Sequence, residues 1–422
     1  MEITFELALL VVGALLFVAA ALSGWLRGTV LSISVLSVGA GIVLAELEVV
    51  SVDPGAKSIL YVVELALVLT LFADGLVVED ELLVTHWAPT ALALVVAMPL
   101  TMTLLALAAR ALFPTLSWEE AFLLGAVLSP TDPVVTSAVV TDQRLPAKVR
   151  HTLNLESGLN DGLALPLVLF FLALATGAES AGTEAARLAG EAIAGAAIGI
   201  ALAVGAALLL QRLPRGVEHK YLGIYAVAIA LVAFGIAEQT GWANGLIAVF
   251  VGGIAFAVAR HSLPGEVLEF NETLSALFQV VTFTLFGALI VTTGWDGSTG
   301  RLVVFVAFAL FVARPVAVLL AFLPIREPLP NKLFMAWFGP KGVASMLFAL
   351  LVLGSSERHR SLVFDVASFT IVASIVAHGL TDTLGANVLA HWLGHADESA
   401  GKDASGMHQQ EGGDRRGVPA DQ

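Results

Sequence analysis

The chain has 422 residues, of which 58% are hydrophobic and only 13% are charged, against about 25% charged in ordinary soluble domains. This composition indicates a membrane protein, and the absence of cysteine excludes disulfides, thiolate metal sites and cysteine nucleophiles. The formal net charge is −14, but Asp and Glu carry little information on membrane orientation, so the acidic balance identifies no partner.

Apolar runs of about 20 residues, each long enough to cross a bilayer as a helix, divide most of the chain into thirteen predicted spans. They cover residues 5–23, 29–47, 58–78, 88–112, 119–141, 149–176, 186–210, 221–238, 243–260, 271–293, 302–324, 332–353 and 362–392. The pattern predicts an all-α polytopic membrane protein with one transmembrane domain over residues 1–394. Residues 395–422 are polar and lack an apolar period, which predicts a disordered cytoplasmic tail.

The distribution of basic residues predicts how the chain is oriented. An odd number of spans places the two termini on opposite sides of the membrane. The loops on the side of the carboxyl terminus, together with the tail, hold more Lys and Arg residues than the loops on the other side. Because loops rich in Lys and Arg stay in the cytoplasm, we expect the amino terminus outside the cell membrane and the carboxyl terminus inside it.

The fifth span is interrupted by the segment SPTDP at residues 129–133, in which two prolines flank Thr131 and Asp132. A helix must break there, which leaves backbone carbonyls and amides without partners at membrane depth. The next span opens with ESGLND, residues 156–161. The spacing of four residues places Ser157 and Asp161 on one helical face and Glu156 and Asn160 on the adjoining face.

A second interruption, FGPKGVAS, lies in the twelfth span and contains Lys341 between Pro340 and Gly342. If spans one to six and eight to thirteen are taken as two halves, the first break lies in the fifth span of the first half. The second break lies in the fifth span of the second half. Breaks at corresponding positions of two halves indicate a transporter built from two inverted six-helix repeats, with its site between them and the seventh span as linker. The alternative is two unrelated proline kinks, which are common in membrane helices.

Ionisable residues inside the predicted spans are few. Because such groups are costly in a membrane, each is a candidate for function. They are Glu64, Asp74, Asp132, Glu156, Asp161, Arg314 and Lys341. Asp365, Glu191 and Glu238 lie nearer to span ends, where the carboxylates are expected to reach the interface. Arg314 cannot lose its proton in practice and so requires a buried carboxylate, for which Glu156 is the first choice. This ion pair is predicted to be structural.

Asp161 is the candidate for exchange chemistry. Its carboxylate, the Ser157 hydroxyl and the freed backbone carbonyls near Thr131 would form an all-oxygen site, which hard cations prefer. Without a cation, burial favours the protonated acid, so the same oxygen can hold either a proton or a small cation. The alternative for Ser157 is a hydroxyl bonded back to its own helix.

The motifs FADG at 72–75, SPTDP at 129–133, ESGLND at 156–161, ARP at 313–315 and GPKG at 339–342 resemble those of a known family. In order and spacing they are similar to the monovalent cation/proton antiporters of the NhaP and mammalian sodium/proton exchanger branch, over residues 5 to 392. The resemblance implies the thirteen-helix, NhaA-like antiporter fold with two crossed, unwound helices, and elevator-type alternating access. It also implies a homodimer in membrane lipid, with no cofactor beyond the transported ions, no enzymatic reaction and no nucleic-acid partner.

Carried over residue by residue, the family's ion-carrying aspartate falls on Asp161 and the asparagine before it on Asn160. Its further ion ligands fall on Thr131 and Ser157, and Asp132 would hold the unwound crossing and Asn160. These assignments are implied by the resemblance.

Three further positions match or depart from the family pattern. Asp74 matches a binding position that is more often Glu in prokaryotic members. Arg314 matches the arginine that pairs with Glu156. Lys341 stands where many members carry Arg in a GLRG motif, so it is noted as a charge at the helix break without an assigned role.

These observations predict a secondary antiporter that exchanges a monovalent cation, first of all sodium, for a proton. Members of the related electrogenic branch carry two adjacent aspartates where this chain has Asn160 and Asp161, so the resemblance implies electroneutral exchange. Alternatives are a potassium/proton antiporter, an intramembrane hydrolase with Asp132 and Asp161 as its acid and base, and a channel.

Overall fold

The structure is a computed structural model that describes most of the chain between Phe5 and Leu389. The described residues are 5–26, 33–50, 52–53, 56–82, 87–132, 145–177, 180–213, 217–260, 263–295, 297–381, 385 and 388–389. The predicted tail, residues 395–422, lies outside them.

The described residues are helical with short connections, and no β-strand occurs among them. The helices, in chain order, are α1 Phe5–Leu26, α2 Ile33–Glu46, α3 Lys57–Leu82, α4 Trp87–Leu112, α5 Trp118–Val127, α6 Ala147–Ala175, α7 Ala181–Arg212, α8 His219–Thr240, α9 Gly245–Arg260, α10 Gly265–Thr293, α11 Thr299–Ala321, α12 Leu329–Trp337, α13 Val343–Leu353 and α14 Arg360–Thr381. One π-helical turn interrupts α4 at Ala93–Ala97 and another interrupts α11 at Ala309–Ala313.

The predicted fold class is confirmed: this is an all-α, multi-pass membrane protein. Among the described residues, 8 helices are long and apolar enough to cross a membrane, and shorter apolar helices lie between them. The two predicted interruptions account for the main departures from one helix per span. The fifth span is described from α5 as far as Asp132, and its remainder lies outside the described residues. The twelfth span consists of α12 and α13, with residues 338–342 unwound between them.

The distribution of apolar side chains explains why the helices assemble inside lipid. Large apolar residues stand on the outer faces of several helices, among them Ile193, Ile200 and Val204 of α7. In a membrane such residues remain in an apolar solvent, so their exposure costs nothing. The inner faces bury a continuous core that includes Phe72, Phe286 and Phe348.

Helix packing brings the candidate residues together. Helix α9 packs between α3 and α7, while α2 packs along α10. Helix α6 contacts both α3 and α5, and α13 contacts α3, α5 and α6. The unwound segments that follow α5 and precede α13 are therefore enclosed by α3 and α6, the helices that carry the acidic motifs.

Candidate ion-binding site

The two unwound segments cross and bond to each other. The Asp132 backbone N–H donates to the Pro340 carbonyl at 2.9 Å, and the Asp132 carboxylate Oδ2 accepts from the Val343 N–H at 3.0 Å. Val343 is the first residue of α13, so Asp132 binds a backbone amide that has no partner inside its own helix. A negative charge is also favourable at a helix amino terminus. The predicted role of Asp132 at an unwound crossing thus has a visible basis, whereas its predicted hold on Asn160 stays a prediction.

The close approach at the crossing requires glycine at position 342. A Cβ atom built on Gly342 would lie 2.1 Å from both Cβ and Oδ2 of Asp132, far inside van der Waals contact. The GPKG motif therefore brings the α13 amino terminus close enough for the bond from Val343 to Asp132.

Lys341 adds a second connection between the segments. Its ammonium Nζ lies 3.3 Å from the Pro130 carbonyl oxygen, and its backbone N–H donates to Ser374 Oγ of α14 at 2.9 Å. The side chain is buried. Lys341 therefore donates to a carbonyl that the break in the fifth span has freed from helical bonding, and links both segments to α14.

Helix α6 binds the first unwound segment through Thr131. Ser157 Oγ donates to the Thr131 carbonyl oxygen at 2.8 Å, and Asn160 Nδ2 donates to the same oxygen at 3.1 Å and to Thr131 Oγ1 at 2.8 Å. The alternative for Ser157, a bond back to its own helix, is wrong. Because the Thr131 carbonyl already accepts two bonds, the hydroxyls of Thr131 and Ser157 are the more available ligands of this group.

Three buried oxygen atoms beside this network lack a hydrogen-bond partner among the described residues. They are Asp161 Oδ1, Asn160 Oδ1 and Asp74 Oδ2. Asp161 lies close enough to Asp74 and Asp132 for their charges to interact. Buried polar atoms normally have partners, and a group of unpartnered acceptor oxygens has the chemistry to hold a proton or a hard cation.

The predicted ion pair between Glu156 and Arg314 is present in the core. Arg314 Nη1 lies 2.8 Å from Glu156 Oε1, and both side chains are buried. Arg314 Nη2 also donates to the Phe338 carbonyl at 3.3 Å, at the end of α12. A Cβ on Gly339 would lie 1.8 Å from Arg314 Nε, so a second glycine of the GPKG motif makes room for the guanidinium. The pair therefore connects α6 and α11 to the second unwound segment.

Sequence reasoning missed His378 of α14. Its Nδ1 lies 2.7 Å from the Ser374 carbonyl and its Nε2 lies 2.9 Å from the Trp337 carbonyl at the end of α12. The ring also stacks on Trp337, with centroids 5.0 Å apart. A histidine within an apolar span was the available signal, because such a polar group needs partners in the protein.

Two other acidic residues singled out from the sequence are placed outside the site. Glu64 lies ten residues before Asp74 on α3, about 15 Å along the helix axis, and its charge faces Glu238 of α8. Asp365 was expected to reach the interface, but it is buried and accepts a hydrogen bond from Thr293 Oγ1 at 2.7 Å. That expectation is wrong, because α10 offers Asp365 a hydroxyl partner inside the protein.

Comparisons with known proteins agree with this architecture. Residues 12–384 match the family model described as "Sodium/hydrogen exchanger, transmembrane". The chain is 28% identical over 336 residues to the K(+)/H(+) antiporter NhaP of Alkalimonas amylolytica, covering 78% of this chain and 56% of that protein. It is 27% identical over 318 residues to a Na(+)/H(+) antiporter of Schizosaccharomyces pombe, covering 65% of each. The chain thus spans less than two thirds of the length of these curated relatives.

The fold also matches a solved structure. The sodium proton antiporter MjNhaP1 from Methanocaldococcus jannaschii at pH 8 superposes with a TM-score of 0.76, over 90% of this chain and 97% of that one. Sequence identity is 18%, so the likeness shows that the two chains share a fold. The predicted antiporter fold is thereby confirmed.

We expect the ion pair of Glu156 and Arg314 to be a major source of stability. Replacing either residue alone, as in Glu156→Gln or Arg314→Met, leaves an uncompensated buried charge and should cost about 3 to 5 kcal/mol of unfolding free energy. The double variant should lose less than the sum of the two single variants. The measurement is unfolding of the detergent-purified protein in a double-mutant cycle, and additive losses would show that the pair contributes no coupling energy.

The crossing should not tolerate a methyl group on Gly342. Gly342→Ala forces the new Cβ into the Asp132 carboxylate, and overpacking of this kind costs about 1 to 3 kcal/mol. Gly205→Ala is the matched control, because a Cβ on that helical glycine meets nothing within 4 Å. Thermal unfolding of both variants checks the expectation, and equal stability would contradict the close contact at Gly342.

Proposed function

This chain belongs to the sodium/hydrogen exchanger family, and on that premise we propose that it is a secondary antiporter exchanging one monovalent cation for one proton. The observation that carries the proposal is the group of buried, unpartnered oxygens on Asp161, Asn160 and Asp74, beside the hydroxyls of Thr131 and Ser157. A buried carboxylate with other carboxylates near it must bind a cation or take up a proton. Competition between the two on Asp161 couples their movements.

Three neighbouring charged groups, Glu156, Arg314 and Asp132, have fixed partners, and of the two remaining carboxylates the family resemblance selects Asp161 over Asp74 as the exchanging residue. Glu156 is paired with Arg314, and Asp132 accepts the Val343 amide at the α13 amino terminus. The Asn160 side chain is an amide and does not take up a proton near neutral pH, and its Nδ2 donates a hydrogen bond to Thr131. In each half of the cycle Asp161 carries either a proton or a cation. Asp74 contributes an oxygen beside it.

Sodium is the first candidate for the cation and potassium is the second. The hard oxygen ligands suit either ion, and their number and spacing during binding decide between them. The relative from Alkalimonas amylolytica is named for potassium and that from Schizosaccharomyces pombe for sodium, so each candidate has support.

The structure weighs against a hydrolase. A hydrolytic pair needs two carboxyl groups directed at one substrate. Asp132 instead directs Oδ2 at the Val343 amide, and its own amide is bonded to Pro340. The carboxylate and the backbone amide of Asp132 thus both hold the two unwound segments together.

The proposal extends to the membrane arrangement. The chain would work in the cell membrane with its amino terminus outside and its carboxyl terminus in the cytoplasm. Two copies would form a homodimer, and the segment with the crossing would move relative to the dimer interface, as in elevator-type alternating access. Loop charge and family resemblance support these points.

Replacing the exchanging carboxylate tests the proposal. In proteoliposomes, the wild-type protein should change internal pH when sodium or potassium is added, and Asp161→Asn should abolish this change, because an amide cannot cycle between charged and protonated forms. Scanning sodium, lithium, potassium and calcium on the wild type identifies the cation. Asp365→Asn, a buried carboxylate bonded to Thr293, is the control and should retain exchange. Exchange by a folded Asp161→Asn protein would overturn the assignment.

One-for-one exchange predicts no response to voltage. If Asp161 carries one proton in one direction and one monovalent cation in the other, no net charge crosses the membrane. A full elementary charge would gain about 2.3 kcal/mol per 100 mV, so even one extra charge would be detected. A potassium/valinomycin potential imposed on proteoliposomes should therefore drive no net sodium movement. A sustained current would mean that a second group titrates, and Lys341 would be the first candidate.

A further inference from the structure

Three metal-ligand side chains meet at the ends of the two interrupted spans, away from the crossing. Glu120 lies in the first turn of α5, whereas Glu357 and His359 lie in the connection between α13 and α14. One carboxylate oxygen from each glutamate and one ring nitrogen of the histidine all lie within 4.8 Å of one another. Among the described residues this is the one group of His, Asp and Glu side chains with such spacing. The proposed exchange reaction does not use it.

Backbone amides orient both carboxylates of this group. Glu120 Oε2 accepts from the Ser117 N–H at 2.6 Å in the capping box of α5, which leaves Oε1 directed at His359 Nδ1, 2.8 Å away. Glu357 Oε1 accepts from the His359 N–H at 2.5 Å. Each carboxylate therefore uses one oxygen for its own support and keeps the other for the group. Metal-binding carboxylates are commonly held in this way.

The second oxygen of Glu357 points to a missing partner. Oε2 is buried and accepts no hydrogen bond from any described donor, and Glu357 as a whole is 3% exposed. The side chains of Glu357 and Glu120 face each other. Glu357 Oε2 is therefore a buried acceptor without a donor, beside a second carboxylate and an imidazole, and a bound cation would satisfy it.

We propose that Glu120, Glu357 and His359 form a binding site for a divalent transition-metal ion of the zinc type. Two carboxylate oxygens and one imidazole nitrogen are a ligand set that Zn²⁺ accepts, with a water in the fourth position. Mg²⁺ and Ca²⁺ prefer oxygen ligands alone, so the histidine selects against them. The side chain of His359 is 28% exposed, which gives the ion and its water access from solvent.

A metal ion here would join the two interrupted spans at a second place. The crossing already connects Asp132, which follows α5, to Val343 at the start of α13. The metal would connect the start of α5 to the segment that follows α13. The two interrupted spans would then be joined at two places, at the crossing and at the metal. A ligand that binds the folded state alone also stabilises it.

Zinc binding by the full chain tests the site. The detergent-purified protein is stripped with a chelator, passed through gel filtration and titrated with Zn²⁺ by calorimetry, with bound zinc counted by mass spectrometry. We expect Glu357→Gln and His359→Gln each to weaken one site by at least about tenfold, since loss of even a supporting group costs 10- to 100-fold. Glu119→Gln is the matched control, because Glu119 is exposed in the same helical turn.

The chain contains 9 histidines, so the difference between the wild type and the variants measures this site. Equal zinc uptake by the wild type, both ligand variants and the control would overturn the proposal. No zinc uptake by the wild type would also overturn it, and the two carboxyl groups would then share a proton. Displacement of zinc by equimolar Ca²⁺ would overturn the assignment to a transition metal.

Cobalt gives a readout that does not depend on the variants folding. Wild-type protein loaded with Co²⁺ should show visible absorption bands of a four-coordinate nitrogen and oxygen site, and one equivalent of Zn²⁺ should remove them. A spectrum that remains that of hydrated, six-coordinate Co²⁺ would contradict the site even if both variants aggregate.

Discussion

Backbone polarity inside lipid is the constraint on which this structure depends. A helix that breaks in a membrane leaves amides and carbonyls that no water can satisfy, at a cost of several kcal/mol for each group. Here the two broken spans satisfy each other, because Asp132 accepts from Val343 and donates to Pro340. Lys341 supplies a donor to the Pro130 carbonyl. The polar residues of the two motifs, Asp132 and Lys341, are thus explained by the hydrogen bonds that the broken helices require.

The same bonds shape the oxygen site. Ser157 and Asn160 both donate hydrogen bonds to Thr131, and these bonds fix α6 against the first unwound segment. Their remaining groups, and the carboxylates of Asp161 and Asp74, are acceptors. A site that has used its donors on the framework and kept its acceptors is suited to a cation or a proton. The framework and the proposed ion chemistry therefore share side chains.

Charge balance links the site to its surroundings. Arg314 pairs with Glu156 and also donates to Phe338, so one guanidinium compensates a carboxylate and supports the second break. Lys341 brings a further cation to the first break. The carboxylates of Asp74, Asp132 and Asp161 outnumber the cation that remains, and a transported ion or proton would offset part of this excess. A bound metal at Glu120, Glu357 and His359 would in the same way satisfy a buried acceptor at the ends of these spans that lie away from the crossing.

The sequence by itself determined the membrane architecture, the two breaks and the ion pair, whereas its ion-binding residues stay predictions. These signals are local or follow from three strong rules: lipid demands long apolar helices, proline and glycine interrupt them, and a buried arginine needs a carboxylate. Tertiary structure alone decided which donor meets which acceptor. Ser157 bonds Thr131 instead of its own helix, Asp365 finds Thr293, and His378 lies against the carbonyl of Trp337. Glu120 meets Ser117 locally in the capping box of α5, whereas His359, 239 residues later, lies beside it only because the chain folds. Such contacts depend on how helices that are far apart in the sequence pack together. The spacing of residues along the sequence does not determine that packing.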